Sequence, residues 1–135
     1  MKLSSYASII AFYMMVMTPA LAAPVIERIG APLTHPWGMD FIGTDQVLVT
    51  VRSGGLQRIS LADGSAVDIT GLPQVFARRQ GGMLDVMVDG PHVYLCYSAM
   101  LNGRSSTAID RARLEGDALA ERETIFTGNN PARSG

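Results

Sequence analysis

From residue 46 onward, apolar and polar positions alternate over short runs and switch at turn residues, which predicts strands rather than helices. Residues 46–51 (Gln-Val-Leu-Val-Thr-Val) are rich in β-branched side chains, with apolar groups on both faces, as a central strand of a layered sheet requires. Ser53-Gly54-Gly55 then turns the chain into a strand at 56–60, and Ala62-Asp63-Gly64-Ser65 turns it again into 67–69. Further strands are predicted at 84–88, 92–98, 107–114 and 121–126, separated by Asp89-Gly90-Pro91 and Leu101-Asn102-Gly103-Arg104. His35-Pro36-Trp37-Gly38 opens a strand before these: Pro36 stiffens the entry, Trp37 is expected to pack, and Gly38 permits close passage of another chain segment. Residues 128–135 read as a loop. The total is eight to nine strands and no helix.

A shift of about 46 residues lays Val47-Leu48-Val49-Thr50-Val51 over Val93-Tyr94-Leu95-Cys96-Tyr97, and the turn at Thr44-Asp45 over Gly90-Pro91. A repeat of this length matches one four-stranded propeller blade. The expected architecture is therefore all-β, about two blades of an incomplete propeller, which leaves sheet surface to be covered by other segments.

The first 22 residues follow a different logic. Lys2 supplies a short positive start, residues 6–17 are apolar apart from Ser8, and Ala20-Leu21-Ala22 fits an A-x-A cleavage site. That apolar run is shorter than the ~20 residues a membrane-spanning helix needs. Residues 1–22 are thus expected to be a signal peptide, and residues 23–135 the propeller portion of a periplasmic or secreted protein with no stable membrane span. Eleven basic residues against twelve acidic ones leave no clustered positive surface for nucleic acid. Cys96 is the only cysteine, which excludes an intrachain disulfide, and its place within a predicted strand suggests a small buried residue.

Little in the chain carries obvious chemistry. The aspartates are scattered without calcium-loop spacing, the two histidines stand far apart, and there is no G-x-S-x-G. His92 lies near a turn and reads as solvated. Gln80-Gly81-Gly82 is the most distinctive loop: paired glycines allow close backbone approach, and a glutamine amide both donates and accepts hydrogen bonds. Taken alone, those residues read first as a tight structural loop with a solvated glutamine.

In order along the chain, His35-Pro36-Trp37-Gly38-Met39-Asp40-Phe41, Leu48-Val49-Thr50-Val51-Arg52, Gly71-Leu72-Pro73 and Gln80-Gly81-Gly82-Met83-Leu84-Asp85-Val86 resemble the opening of the soluble PQQ-dependent aldose sugar dehydrogenases. This glucose/sorbosone dehydrogenase family consists of six-bladed β-propellers. The resemblance implies PQQ and calcium as cofactors, an aldose oxidised at C1, and an electron acceptor. A histidine base would remove the C1 hydroxyl proton as hydride passes to the quinone. It also implies that Gln80 lines the cofactor cleft, while the catalytic histidine and the calcium ligands lie beyond residue 135. The expectation is an N-terminal fragment, inactive alone. Two positions depart from the family pattern: Arg79 stands where glycine usually precedes the glutamine, and Val51 where glutamate usually precedes Arg52. Arg52 itself is expected to lean on neighbouring blade residues, and Asp110 introduces an unusual charge into a strand. A different class of function fits these departures, a non-catalytic exported propeller module used for binding or scaffolding.

Overall fold

In the computed structural model, residues 23–129 and the backbone of 132–133 are described; the segment expected to be a signal peptide lies outside them. Nine strands form among these residues, with no helix. The first four, β1 (Pro36–Ile42), β2 (Gln46–Val51), β3 (Gly55–Ser60) and β4 (Ala66–Asp68), make one antiparallel meander in sequence order. The next four, β5 (Met83–Asp89), β6 (His92–Leu101), β7 (Arg104–Glu115) and β8 (Ala118–Thr127), make a second. The 46-residue repeat is thereby explained: it superposes β2 on β6, the second strand of each sheet. Residues 128–135 are not wholly a loop, since β9 (Ala132–Arg133) pairs with the start of β7. β4 is shifted from its expected span because Ile69 leaves the strand to enter the core, where it is 3% exposed.

The two sheets pack through one apolar layer. Leu48 and Leu56 of the first sheet and Met83, Val86, Val93, Leu95, Tyr97, Ala108, Ala112 and Leu119 of the second belong to it, joined by Ile69. Each large aliphatic group in that layer contributes roughly 1.5–3 kcal/mol of burial. Close to the first strands, the layer becomes polar and tight. The buried Thr50 hydroxyl accepts the Gly38 N–H at 2.8 Å and lies 3.2 Å from the carbonyls of Gly38 and Leu84, so it stitches β1 and β2 to β5. Asp40 accepts the Val88 N–H at 2.7 Å. A Cβ on Gly38 would stand 2.9 Å from the Asp85 Cα, which explains why glycine occupies this crossing. At the opposite, outer side, Arg58 pairs with Asp117 and donates to Gly116 O at 3.1 Å. Thr70 and Leu119 also meet there, through a backbone bond of 2.9 Å.

Trp37 departs from its expected packing and is 54% exposed. The cause is strand alternation: Gly38 and Asp40 face the second sheet, so Trp37, Met39 and Phe41 all face away from it. Cys96 is half-buried rather than buried, beside Asp85 and Tyr94 on the open face of the second sheet. Burial, followed by the charge of Asp85, raises its thiol pKa, opposite to the direction that makes a cysteine reactive.

Candidate functional site

Residues 69–82 carry the chain from the last strand of the first sheet to the first strand of the second. Their final turn holds Gln80. An irregular segment of this length must find partners for its backbone groups outside itself, and here it finds them in both sheets. On the second sheet, Phe76 N–H donates to Ser98 O at 2.7 Å, and Ser98 N–H donates to Gly82 O at 2.9 Å. On the first, the Arg52 guanidinium reaches the carbonyls on either side of Gln80. Its Nε–H donates to Gly81 O at 3.1 Å, and its terminal N–H donates to Arg79 O. The Arg52 backbone carbonyl in turn accepts the Met83 N–H at 3.0 Å, and its own N–H donates to His35 O at 3.1 Å.

The glycines are required by this closeness. A Cβ on Gly81 would lie 2.7 Å from Phe76 O and 3.1 Å from the Ser98 hydroxyl. A Cβ on Gly82, where φ is +156°, would collide with the Arg52 carbonyl and approach its Cγ to 2.6 Å. Within the turn, Gly81 N–H donates to Arg78 O at 2.8 Å. Arg79 has φ of +52°, the left-handed conformation that glycine adopts without cost. Arginine thus takes at position 79 a backbone conformation open to glycine.

Gln80, Arg78 and Arg79 are exposed around this fixed backbone. Among the described residues, Arg28, Arg52, Arg78, Arg79 and Arg104 take part in no ion pair, and three of these five lie at this loop, whereas Arg58, Arg111, Arg113 and Arg122 are all paired. The loop is thus an electropositive turn with one amide side chain at its tip. Val51, which replaces the family's usual glutamate, lies half-buried opposite Gly55. The Arg52 guanidinium is bonded to two peptide carbonyls. A cleft of about 210 Å³, lined by Gln74, Val75, Phe76, Ala99 and Met100, adjoins the loop.

Sequence reasoning anticipated that Arg52 leans on a neighbouring blade, but it missed Ser98, which grips the same loop from the other side. The signal was present in the repeat, whose offset places Ser98 at the position equivalent to Arg52. His35 lies at this end of the sheets through its carbonyl bond to Arg52, with its side chain exposed; His92, expected to be solvated, is half-buried at the start of β6. Among the described residues no cluster of three or more His, Cys, Asp or Glu side chains is placed to hold a metal. No helix among them is long and apolar enough to cross a membrane.

Comparison with known proteins bears on the same residues. The family model described as Glucose / Sorbosone dehydrogenase matches residues 33–135. Aldose sugar dehydrogenase YliI of Escherichia coli is 32% identical over 117 residues, which cover 78% of this chain and 32% of that protein. A solved glucose dehydrogenase superposes with a TM-score of 0.74 at 30% identity, over 81% of this chain and 34% of that one. The PQQ-bound aldose sugar dehydrogenase of Streptomyces coelicolor shares the fold, with a TM-score of 0.67 at 20% identity, over 81% and 37% of the two chains. The chain spans 28% to 32% of the length of the curated relatives it matches. Two consecutive blade-like meanders, the glycine-bound loop between them and a family match that runs through both agree: the chain belongs to the glucose/sorbosone dehydrogenase family.

Proposed function

We propose that the two sheets are the opening blades of an exported, PQQ- and calcium-dependent dehydrogenase that oxidises aldose sugars at C1, and that residues 78–82 form one wall of its cofactor cleft. The observation that carries this reading is the electropositive turn. Two exposed arginines without acidic partners, Arg78 and Arg79, flank an exposed glutamine amide, on a backbone held from both sheets. PQQ is rich in carboxylates and carbonyls, and guanidinium and amide groups are the natural donors to such oxygens. When bound, PQQ supplies the electron-accepting quinone. In this chain Gln80 would hydrogen-bond its polar edge, Arg79 would offset its negative charge, and Arg52 would keep the turn rigid. Calcium, in contrast, finds no ligand set among the described residues. The sugar base is likewise assigned to residues outside these two sheets.

The rival reading, a non-catalytic propeller module, drew its support from Arg79, Val51 and Asp110. Each has a structural role that does not disturb the loop: Arg79 adopts the glycine-like backbone, Val51 packs beside Gly55, and Asp110 is internally paired. Two assays test the proposal. The full-length gene product, supplied with PQQ and calcium, is expected to reduce an artificial electron acceptor with aldoses, whereas residues 23–135 alone are expected to give no turnover. Absence of turnover by the full-length protein, under conditions in which it binds PQQ, contradicts the enzymatic reading. Mass spectrometry of the exported product should find an N-terminus near Ala23, and a retained Met1 contradicts export by signal cleavage.

A further inference from the structure

We infer that Arg52 is a positioning residue for Gln80, acting on the backbone at both sides of it rather than on cofactor or substrate. This inference rests on the cofactor-wall reading of the loop. The carbonyls of Arg79 and Gly81 bracket Gln80, and both accept hydrogen bonds from the same guanidinium. Fixing the two flanking peptides removes most of the rotational freedom of the residue between them, and so sets the direction in which the Gln80 side chain leaves the turn. Arginine suits the task because its planar fork spans two acceptors at fixed spacing, which a lysine ammonium on a flexible stem does not. Charge-assisted bonds of this kind are roughly twice as strong as neutral ones. The rest of the loop's anchoring is independent of the Arg52 side chain. Ser98 holds Phe76 and Gly82 through main-chain bonds, and the Met83 N–H uses the Arg52 backbone carbonyl. Loss of the guanidinium should therefore loosen residues 79–81 selectively, without detaching the loop or unfolding either sheet.

The test uses the full-length gene product with Arg52→Ala, Arg52→Lys, Gln80→Ala and the Arg52→Ala/Gln80→Ala double variant. Hydrogen exchange without PQQ is read for peptides covering 77–83 and 92–98, and PQQ affinity is read by titration. Arg52→Ala is expected to speed exchange in 77–83 about tenfold, leave 92–98 unchanged, and weaken PQQ binding about tenfold, with Arg52→Lys intermediate in both. The double variant is expected to bind PQQ no more weakly than Gln80→Ala, because a residue that acts only through Gln80 has nothing further to lose. Unchanged exchange in 77–83 overturns the inference, as does a double variant whose loss equals the product of the single losses. Wild-type PQQ affinity in Gln80→Ala instead overturns the cofactor-wall reading, and the exchange result still judges the grip of Arg52 because it does not involve PQQ.

Discussion

Two arginine-centred clusters in this molecule solve opposite problems. In the second sheet, the carboxylate of Asp110 on β7 is completely buried. It receives the Tyr97 hydroxyl at 3.0 Å and the Thr124 hydroxyl at 2.7 Å, and it pairs with Arg122, whose Nε–H also donates to Gly71 O at 3.1 Å. A charge inside an apolar layer demands a counter-charge and saturated hydrogen bonding, and that cluster supplies both. At the loop between the sheets, Arg52 holds two neutral carbonyls and keeps its positive charge. The first arrangement cancels charge for the sake of folding. The second fixes a turn on which the exposed Arg78 and Arg79 leave charge available for an anionic ligand. Both involve residues that look anomalous along the sequence, yet only the second points to function.

The comparison breaks most readily at Asp110. Replacing it with alanine strands Arg122 and two hydroxyls, and should cost about 3 kcal/mol. This is the low end for a broken buried pair, because the Arg122 side chain remains 35% exposed. Urea denaturation should show the loss, while PQQ affinity at saturating folded protein stays unchanged; a marked affinity loss there would blur the distinction between the clusters. Gly82→Ala comes next, at about 2 kcal/mol, since its Cβ collides with the Arg52 backbone and forces a special conformation to shift. Here stability and PQQ affinity should fall together.

The alkaline limb of stability tests the buried cluster more gently. Burial, then its bond to Asp110, raises the Tyr97 pKa above the ordinary 10.0. A raised folded-state value means that its contribution is complete below pH 10 and is lost as pH climbs through the raised value. A urea midpoint that falls above pH 10 in the wild type, and falls less in Tyr97→Phe, is the expected result; identical slopes would remove Tyr97 from the account. Arg79→Gly should have the smallest stability effect, a gain of about 0.5 kcal/mol. Relief of the left-handed strain at φ of +52° slightly exceeds glycine's extra freedom in the unfolded chain. The same change should weaken PQQ binding by removing a cation, so stability and affinity would move in opposite directions.

Much of the fold was legible because strands obey a period of two and the turns carried glycine, proline, asparagine or aspartate at the expected places. The 46-residue repeat even registered β2 against β6. The failures have common physical causes. Trp37 was expected to pack, but which face of its strand meets the second sheet depends on Gly38 crossing Asp85, a contact between positions far apart in sequence. Ile69 left its strand to enter the core for the same long-range reason. At the candidate site, the resemblance directed attention to Gln80, while the hydrogen bonds from Arg52 and Ser98 to the loop join residues from different sheets. No local pattern encodes such a bond, and only the assembled pair of sheets displays it.

Whether residues 78–82 face the cofactor is settled by a crystal structure of the full-length protein with PQQ. The Gln80 side-chain amide is expected within hydrogen-bonding distance of the cofactor, about 3 Å, with Arg52 still bonded to the carbonyls of Arg79 and Gly81. PQQ bound at a site that this loop does not line would contradict that expectation.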